Sequence, residues 1–358
     1  MTKQFRILTI VPKVDETIVA IFHNETCIFQ ESIEINNPFS FENNDLSKQI
    51  TDQKQRIIKK LHEAGINLSK LHAVSSIGGM LKPVEGGTYL INETMISHLR
   101  ENYNGKHISN LGALIAYEIA HGLNIQAYIV DPPVVDEFIE EATYTGVPSI
   151  KRKSIFHALN QKAVARLAAN ELNKPYDHVN LIVCHLGIGI TVGAHRKGKI
   201  IDVNNGLHGD GPFSIERAGT LPIDSLISLC FSNQYNEEEL VELLTFHSGL
   251  KAYFKSTQID TIITRLTQVD EETTKILKAM TYQIAKEIGS MATVLKGDVD
   301  GIVLTGVLAE NDLIKQRITE RTSWIADVFI YPGEYDLQAL NEGTLRVLRK
   351  EEIAKNYT

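Results

Sequence analysis

The pattern that most restricts this fold is a three-strand unit that occurs twice, once at the start of the chain and again near its centre. Residues 6–10, 17–23 and 27–35 are rich in β-branched side chains and separated by short polar turns, which predicts three successive strands. Residues 181–184, 190–195 and 199–203 repeat the arrangement. Their first two segments are joined by His185-Leu186-Gly187-Ile188-Gly189-Ile190-Thr191, and their last two by Lys197-Gly198. Residue identity between the copies is low, so the repeat is one of topology. It predicts two domains of related architecture rather than one continuous sheet.

Between and after these units the hydrophobic spacing turns helical. Residues 47–64 place Ile50, Ile57, Ile58 and Leu61 on one face, with Gly65 as a stop. Residues 73–76 read as a short buried strand before Gly78-Gly79. Ser109 or Asn110 can cap a helix through Leu111, Leu114, Ile115 and Ile119 that Gly122 ends. Residues 127–130 form a strand that stops at Asp131-Pro132-Pro133. A helix over 154–172 leads into the second three-strand unit. Leu277, Met280, Ile284, Ile288, Met291 and Leu295 recur at three- and four-residue steps, which predicts a long helix over 271–295. A strand at 301–304, a turn at Thr305-Gly306 and a final helix over 337–349 complete the pattern.

At 358 residues the chain can bury two cores, and its 43% hydrophobic and 22% charged residues are ordinary for a globular protein. A net charge of −8 offers no general attraction to nucleic acid or anionic lipid. Cys27, Cys184 and Cys230 lack CxxC spacing, so neither disulfides nor a structural zinc site is expected, and a cytoplasmic setting fits. No run reaches the ~18 apolar residues of a membrane span, and the first residues pass directly into a strand pattern without an apolar leader.

Several residues could carry chemistry. Gly187 and Gly189 would let backbone N–H groups approach a phosphate, and His185 could donate to a phosphoryl group. On this segment alone the favoured reading is a tight hairpin with a half-buried histidine, because a lone GxG is a weak signal. Residues 204–222 hold Gly206, Gly209, Gly211 and Gly219 around one cation, Arg217, whose fork suits phosphate or carboxylate; an exposed loop with a weak ion pair is the alternative. His107 precedes a helix start and could serve an anion there or be a solvated surface group. Asp131 ends a buried strand, where it could hold Mg²⁺ through water or cap the Pro132-Pro133 turn. Glu342, taken alone, reads as a solvated helix residue. Thr305, Gly306, Glu310 and Asn311 lie in a strand-to-helix turn that could hold an adenosine or its first phosphate, or be an ordinary loop.

Taken together these stretches resemble butyrate kinases, within the acetate kinase group of the actin-like and sugar-kinase superfamily. The resemblance runs from about Arg6 to Arg349. It is most specific in Gly78-Gly79-Met80-Leu81-Lys82-Pro83-Val84-Glu85-Gly86-Gly87-Thr88-Tyr89, in Ser109-Asn110-Leu111-Gly112-Ala113 and in Arg152-Lys153-Ser154-Ile155-Phe156-His157-Ala158-Leu159-Asn160-Gln161-Lys162-Ala163. Val203-Asn204-Asn205 and Gly211-Pro212-Phe213-Ser214 agree as well. The resemblance implies an α/β protein of duplicated actin-like ATPase (RNase H-like) domains with an interdomain cleft. Residues 1–150, completed by 335–358, would form one domain and 151–334 the other. The implied reaction converts ATP and a short-chain carboxylate, butanoate or a branched relative, to ADP and an acyl phosphate with Mg²⁺. By position, Arg217, His185 and His107 would face the transferring phosphoryl group. Asp131 and Glu342 would hold the metal through water. Gly187, Gly189 and the turn at Thr305, Gly306, Glu310 and Asn311 would cradle the nucleotide. A homo-oligomer is also implied, with no nucleic-acid or membrane partner.

The departures from that pattern fall in the site. The first turn of such kinases reads Asn-Pro-Gly-Ser-Thr-Ser, whereas here Val11, Lys13, Val14 and Glu16 stand for the asparagine, the glycine and two serines. Ile77 takes the place of a substrate-side arginine, Ile188 and Val307 of turn glycines, and Ile259 of an aspartate near the nucleoside. Two functions therefore compete: a working carboxylate kinase, and a catalytically impaired paralogue that binds a ligand or a partner protein. A kinase for a hydroxyl acceptor is a third class, in which Asp131 would be the base.

Overall fold

The structure is a computed structural model that describes residues 3–35, 46–268 and 270–358. Its strands in the first half of the chain are β1 (Arg6–Pro12), β2 (Glu16–His23), β3 (Thr26–Glu34), β4 (Ala73–Ser76), β5 (Thr88–Leu90) and β6 (Gln126–Val130). In the second half they are β7 (Asn180–Leu186), β8 (Ile190–Arg196), β9 (Lys199–Val203), β10 (Gly301–Gly306), β11 (Val328–Pro332) and β12 (Lys355–Asn356). The chain divides into two compact units, residues 1–135 with 335–358 and residues 136–334.

The two sheets share a five-strand order, to which the first adds β5 and β12. In the first unit the order is β12-β5-β6-β4-β1-β2-β3, and in the second it is β11-β10-β7-β8-β9. Each contains an antiparallel meander (β1-β2-β3, β7-β8-β9) whose first strand is continued on its other side by two parallel strands in succession (β4 then β6, β10 then β11). The repeat seen in the sequence is therefore a duplicated α/β architecture of the actin-like ATPase type. β1, β4, β7 and β10 are almost wholly buried, which is why they read as apolar runs rather than alternating ones.

Helix Asp336–Leu348 returns to the first unit and packs on β1 and β6. A Cβ at its Gly343 would stand 2.6 Å from Val130 Cγ1, so only glycine permits this approach. In the second unit, helix Glu271–Val294 buries Leu277, Met280, Ile284, Ile288 and Met291 against a core that includes Ile182, Cys184, Val192 and Leu304.

Three local expectations are corrected. The helix expected over 154–172 is Ala158–Glu171, because the Ile155 carbonyl accepts the Gly206 N–H at 2.9 Å and residues 154–157 stay irregular. Gly122 does not end its helix; Asn124 does, in the left-handed conformation at φ 53°. Ser109 is the N-cap of that helix but makes no capping hydrogen bond, because its hydroxyl pairs with the His107 ring at 2.7 Å. No helix among the described residues is long and apolar enough to cross a membrane.

Candidate active site

Register places the second unit's chemistry at one end of its sheet. β10 pairs with β7 so that Thr305 lies beside His185, and the β7–β8 hairpin closes at Leu186 and Ile190. Both glycine turns therefore leave the same end of adjacent strands. Gly306, at φ +89°, brings the second turn directly against the first: a Cβ there would stand 2.5 Å from the Leu186 carbonyl oxygen.

The two glycines of the hairpin make room for specific neighbours. A Cβ on Gly187 would stand 2.5 Å from His185 Cε1, and one on Gly189 would stand 1.6 Å from Arg217 Nη1. The Gly187 N–H is used within the turn, donating to the Gly189 carbonyl at 3.1 Å. Ile188, at the tip, is 40% exposed, and its carbonyl accepts the Ser214 hydroxyl. Ser214 Oγ in turn accepts the Arg217 N–H at 3.2 Å, fixing the arginine's backbone to the turn.

Arg217 is thus delivered to the glycine turn by the loop after β9. Its Nη1 donates to the Gly206 carbonyl, while its Nε is buried with no hydrogen-bond partner among the described residues. Burial pulls the guanidinium below its usual pKa, and neighbouring Glu216 opposes this. Glu216 itself is held by Lys251 Nζ at 2.6 Å. An enclosed guanidinium with an orphan N–H and a neighbouring carboxylate already engaged suits an incoming oxyanion.

His185 is 2% exposed, with Nε2 3.1 and 3.2 Å from the two carboxylate oxygens of Glu334. His157 stacks on it, with ring centroids 3.8 Å apart and planes 20° apart. The His157 Nδ1 lies 2.9 Å from Thr191 Oγ1. Behind it the polar chain continues through Gln161 and His195 to Tyr176. Burial, with help from Lys162 and Arg166, depresses the His195 pKa well below the histidine range, so this ring is neutral. Asn160 ties the two turns together, donating to Glu334 at 3.3 Å and accepting the Thr305 hydroxyl at 3.1 Å.

Not every residue of the second turn faces the same task. Asn311 caps helix Asp312–Thr322, accepting the Ile314 N–H at 3.1 Å, and Glu310 is exposed. Val307 and Ile259 pack against the core of this unit.

The first unit holds the remaining candidates. Asp131 is 1% exposed at the end of β6, with φ 39°, and its Oδ1 accepts the Gly87 N–H at 2.7 Å. Gly343 packs on Val130, so Glu342 and Asp131 come from adjoining positions of helix and strand. Glu342 is half-buried and accepts Gln338 Nε2 at 2.8 Å. Among the described residues no group of three or more His, Cys, Asp or Glu forms a metal cluster. His107 sits with Ser109 at the start of helix Asn110–Leu123.

The altered first turn is closed by its own side chains. Lys13 Nζ lies 3.1 Å from Glu16 Oε1, and Ser32 donates to the other Glu16 oxygen. That hydroxyl is the chief cause of a lowered Glu16 pKa. Lys13 therefore neutralises the acid beside it, Val14 is 58% exposed at the tip, and Ile77 is half-buried.

Sequence reasoning did not single out His157 or Glu334 as site residues. His157 lies in the 152–163 motif, which stands out as a whole, with no local pattern that marks the histidine itself. Glu334 has none either, since it reaches His185 across 149 positions of the chain.

Known structures of this architecture include an acetate kinase from Porphyromonas gingivalis, which matches with a TM-score of 0.77 at 16% identity, over 95% of this chain and 99% of that one. An acetate kinase from Entamoeba histolytica matches at 0.72 with 17% identity, over 95% and 98%. A propionate kinase from Francisella tularensis subsp. tularensis matches at 0.71 with 16% identity, over 94% and 98%. At these identities the likeness is one of fold. The sequence model of the acetokinase family matches residues 141–325, a stretch that lies within the second unit and contains His157, His185, both hairpin glycines, Arg217 and Thr305. That match spans more than half of the chain, and the protein belongs to the acetokinase family.

Proposed function

We propose that this chain is a carboxylate kinase that moves the terminal phosphoryl group of Mg-ATP onto a short-chain carboxylate of about butanoate size, giving ADP and an acyl phosphate. The observation that carries this reading is Arg217, enclosed against Gly189 with a buried Nε that has no partner among the described residues. Acetate and propionate kinases share the fold, and the choice of butanoate rests on the resemblance of the motifs at 78–89 and 152–163 to those of butyrate kinases.

The chemistry asks little of side chains as acids or bases. A carboxylate acceptor has a pKa near ~4–5 and is already ionised at neutral pH, so no general base is required. Catalysis then rests on positioning and charge stabilisation. Arg217 supplies positive charge to the transferring group. His185, held by Glu334 and backed by His157, presents a ring nitrogen to it. Asp131 and Glu342 would hold Mg²⁺ through water, and the ion would neutralise phosphate charge. Thr305 and Gly306 shape the nucleotide end of the site.

A second reading, a nucleotide-binding paralogue with little turnover, is favoured by the first turn. Lys13 is already paired with Glu16 there, and Ser32 donates to the same carboxylate.

Calorimetry with Mg-ATP, with and without butanoate, tests the proposal. Binding that butanoate strengthens is the expected result. No binding at millimolar nucleotide would defeat both readings.

A further inference from the structure

A second cationic site lies on the same unit and shares no residue with the glycine turns. Helices Glu271–Val294 and Asp312–Thr322 leave a groove of about 350 Å³ lined by Lys278, Thr281, Leu313, Arg317 and Arg321. Among the described residues none of these three cations is ion-paired. Arg317 Nε is buried and has no hydrogen-bond partner among them. The one carboxylate among the described residues that line the groove, Glu320, accepts the Gln316 amide at 2.7 Å. At the rim the Arg321 guanidinium lies 5.3 Å from the Tyr282 ring centroid, and Lys286 approaches the same ring at 5.6 Å.

This concentration of positive charge runs against the composition, since the chain carries 44 acids and 36 bases. Unpaired like charges side by side repel, and a multivalent oxyanion relieves that repulsion. Two arginine forks and an ammonium match phosphate oxygens, with Arg317 contributing a buried donor. The volume is at the small end of the range for organic ligand sites.

We propose that this groove binds a small molecule bearing one or two phosphate groups, with Arg317 as its innermost contact and Lys278 and Arg321 as outer contacts.

The chain's single tryptophan gives a direct readout, because Trp324 Nε1 donates to the Arg321 carbonyl at 2.8 Å and the ring is 78% exposed. The full-length protein would be titrated with pyrophosphate and, separately, with AMP, at low ionic strength without magnesium. Tryptophan fluorescence and calorimetric heat would both be followed. Saturable binding is expected in the native protein and in Arg217→Gln. It should weaken roughly tenfold or more in Arg317→Gln/Arg321→Gln and fall with added salt. Preference for pyrophosphate would identify an inorganic ligand, and preference for AMP an organic one. If the double variant does not fold, the exposed Lys278→Gln carries the test, with a several-fold loss expected. Absence of saturable binding, unchanged affinity in the folded double variant or in Lys278→Gln, or loss in Arg217→Gln alone would overturn the proposal.

Discussion

Arg217 occupies the space that a side chain on Gly189 would need. Its Nη1 stands 1.6 Å from where a Cβ at that position would be built, while Ser214 fastens the arginine's backbone to the tip of the same turn. The glycine is thus required by the arginine's position as much as by the turn.

Gly189→Ala should therefore act through Arg217. The added methyl forces the guanidinium away, and a displaced charge-stabilising group costs roughly 10²–10³ in rate. Arg217→Gln should cost more, about 10³–10⁵. Both are read from acyl phosphate formation beside a thermal melt. Full activity in Gly189→Ala would mean that the arginine's position does not matter.

Gly289 is the contrasting case. It lies inside helix Glu271–Val294 with nothing within 4 Å of a built Cβ. Gly289→Ala should raise stability by ~0.5–1 kcal/mol. A lower unfolding midpoint would show that the space is needed.

Glu287 makes stability depend on pH. Burial, then Asp210 and Asp202, push its carboxyl up to about 7. The unfolded chain ionises near the ordinary value of 4.5. As pH rises from there to 7, the unfolded state loses this proton first and the folded state is penalised. The penalty is complete above pH 7 and amounts to roughly 3 kcal/mol at most. Glu287→Gln should raise the unfolding midpoint at pH 8 and change it little at pH 4. His195 acts on the other side: its depressed pKa means that stability falls as pH drops below 6.5, where the unfolded ring takes a proton. Equal midpoint shifts for Glu287→Gln at pH 4 and pH 8 would exclude its part in this.

The Lys13–Glu16 pair gives a test of the altered turn. Glu16→Gln leaves Lys13 its charge and removes its partner. An exposed pair contributes little, about 1 kcal/mol or less, so stability should hardly change. Mg-ATP should bind several-fold tighter at low salt. Unchanged affinity would place that turn away from the nucleotide.

The sequence made the architecture legible because both meanders are apolar runs between short polar turns, and because residues 277–295 keep helical spacing through six buried positions. Helix ends were less legible where another partner competes: Ser109 gives its hydroxyl to His107, two residues away, and Ile155 its carbonyl to the chain-distant Gly206. In the site, His185, Gly187, Gly189, Arg217, Thr305 and Gly306 were visible as residue types, and register explains why they converge. The His185–Glu334 contact and the self-closure of the first turn by Ser32 were not visible. Each depends on chain-distant side chains with no local pattern.

The most direct measurement is hydroxylamine trapping of acyl phosphate from the purified protein with Mg-ATP and butanoate, beside an active carboxylate kinase and the Arg217→Gln variant. Acyl hydroxamate that requires ATP, butanoate and Arg217 is the expected result. No product above a protein-free control, with the active kinase turning over alongside, would contradict a carboxylate kinase and leave a binding role for the glycine turns of the second unit.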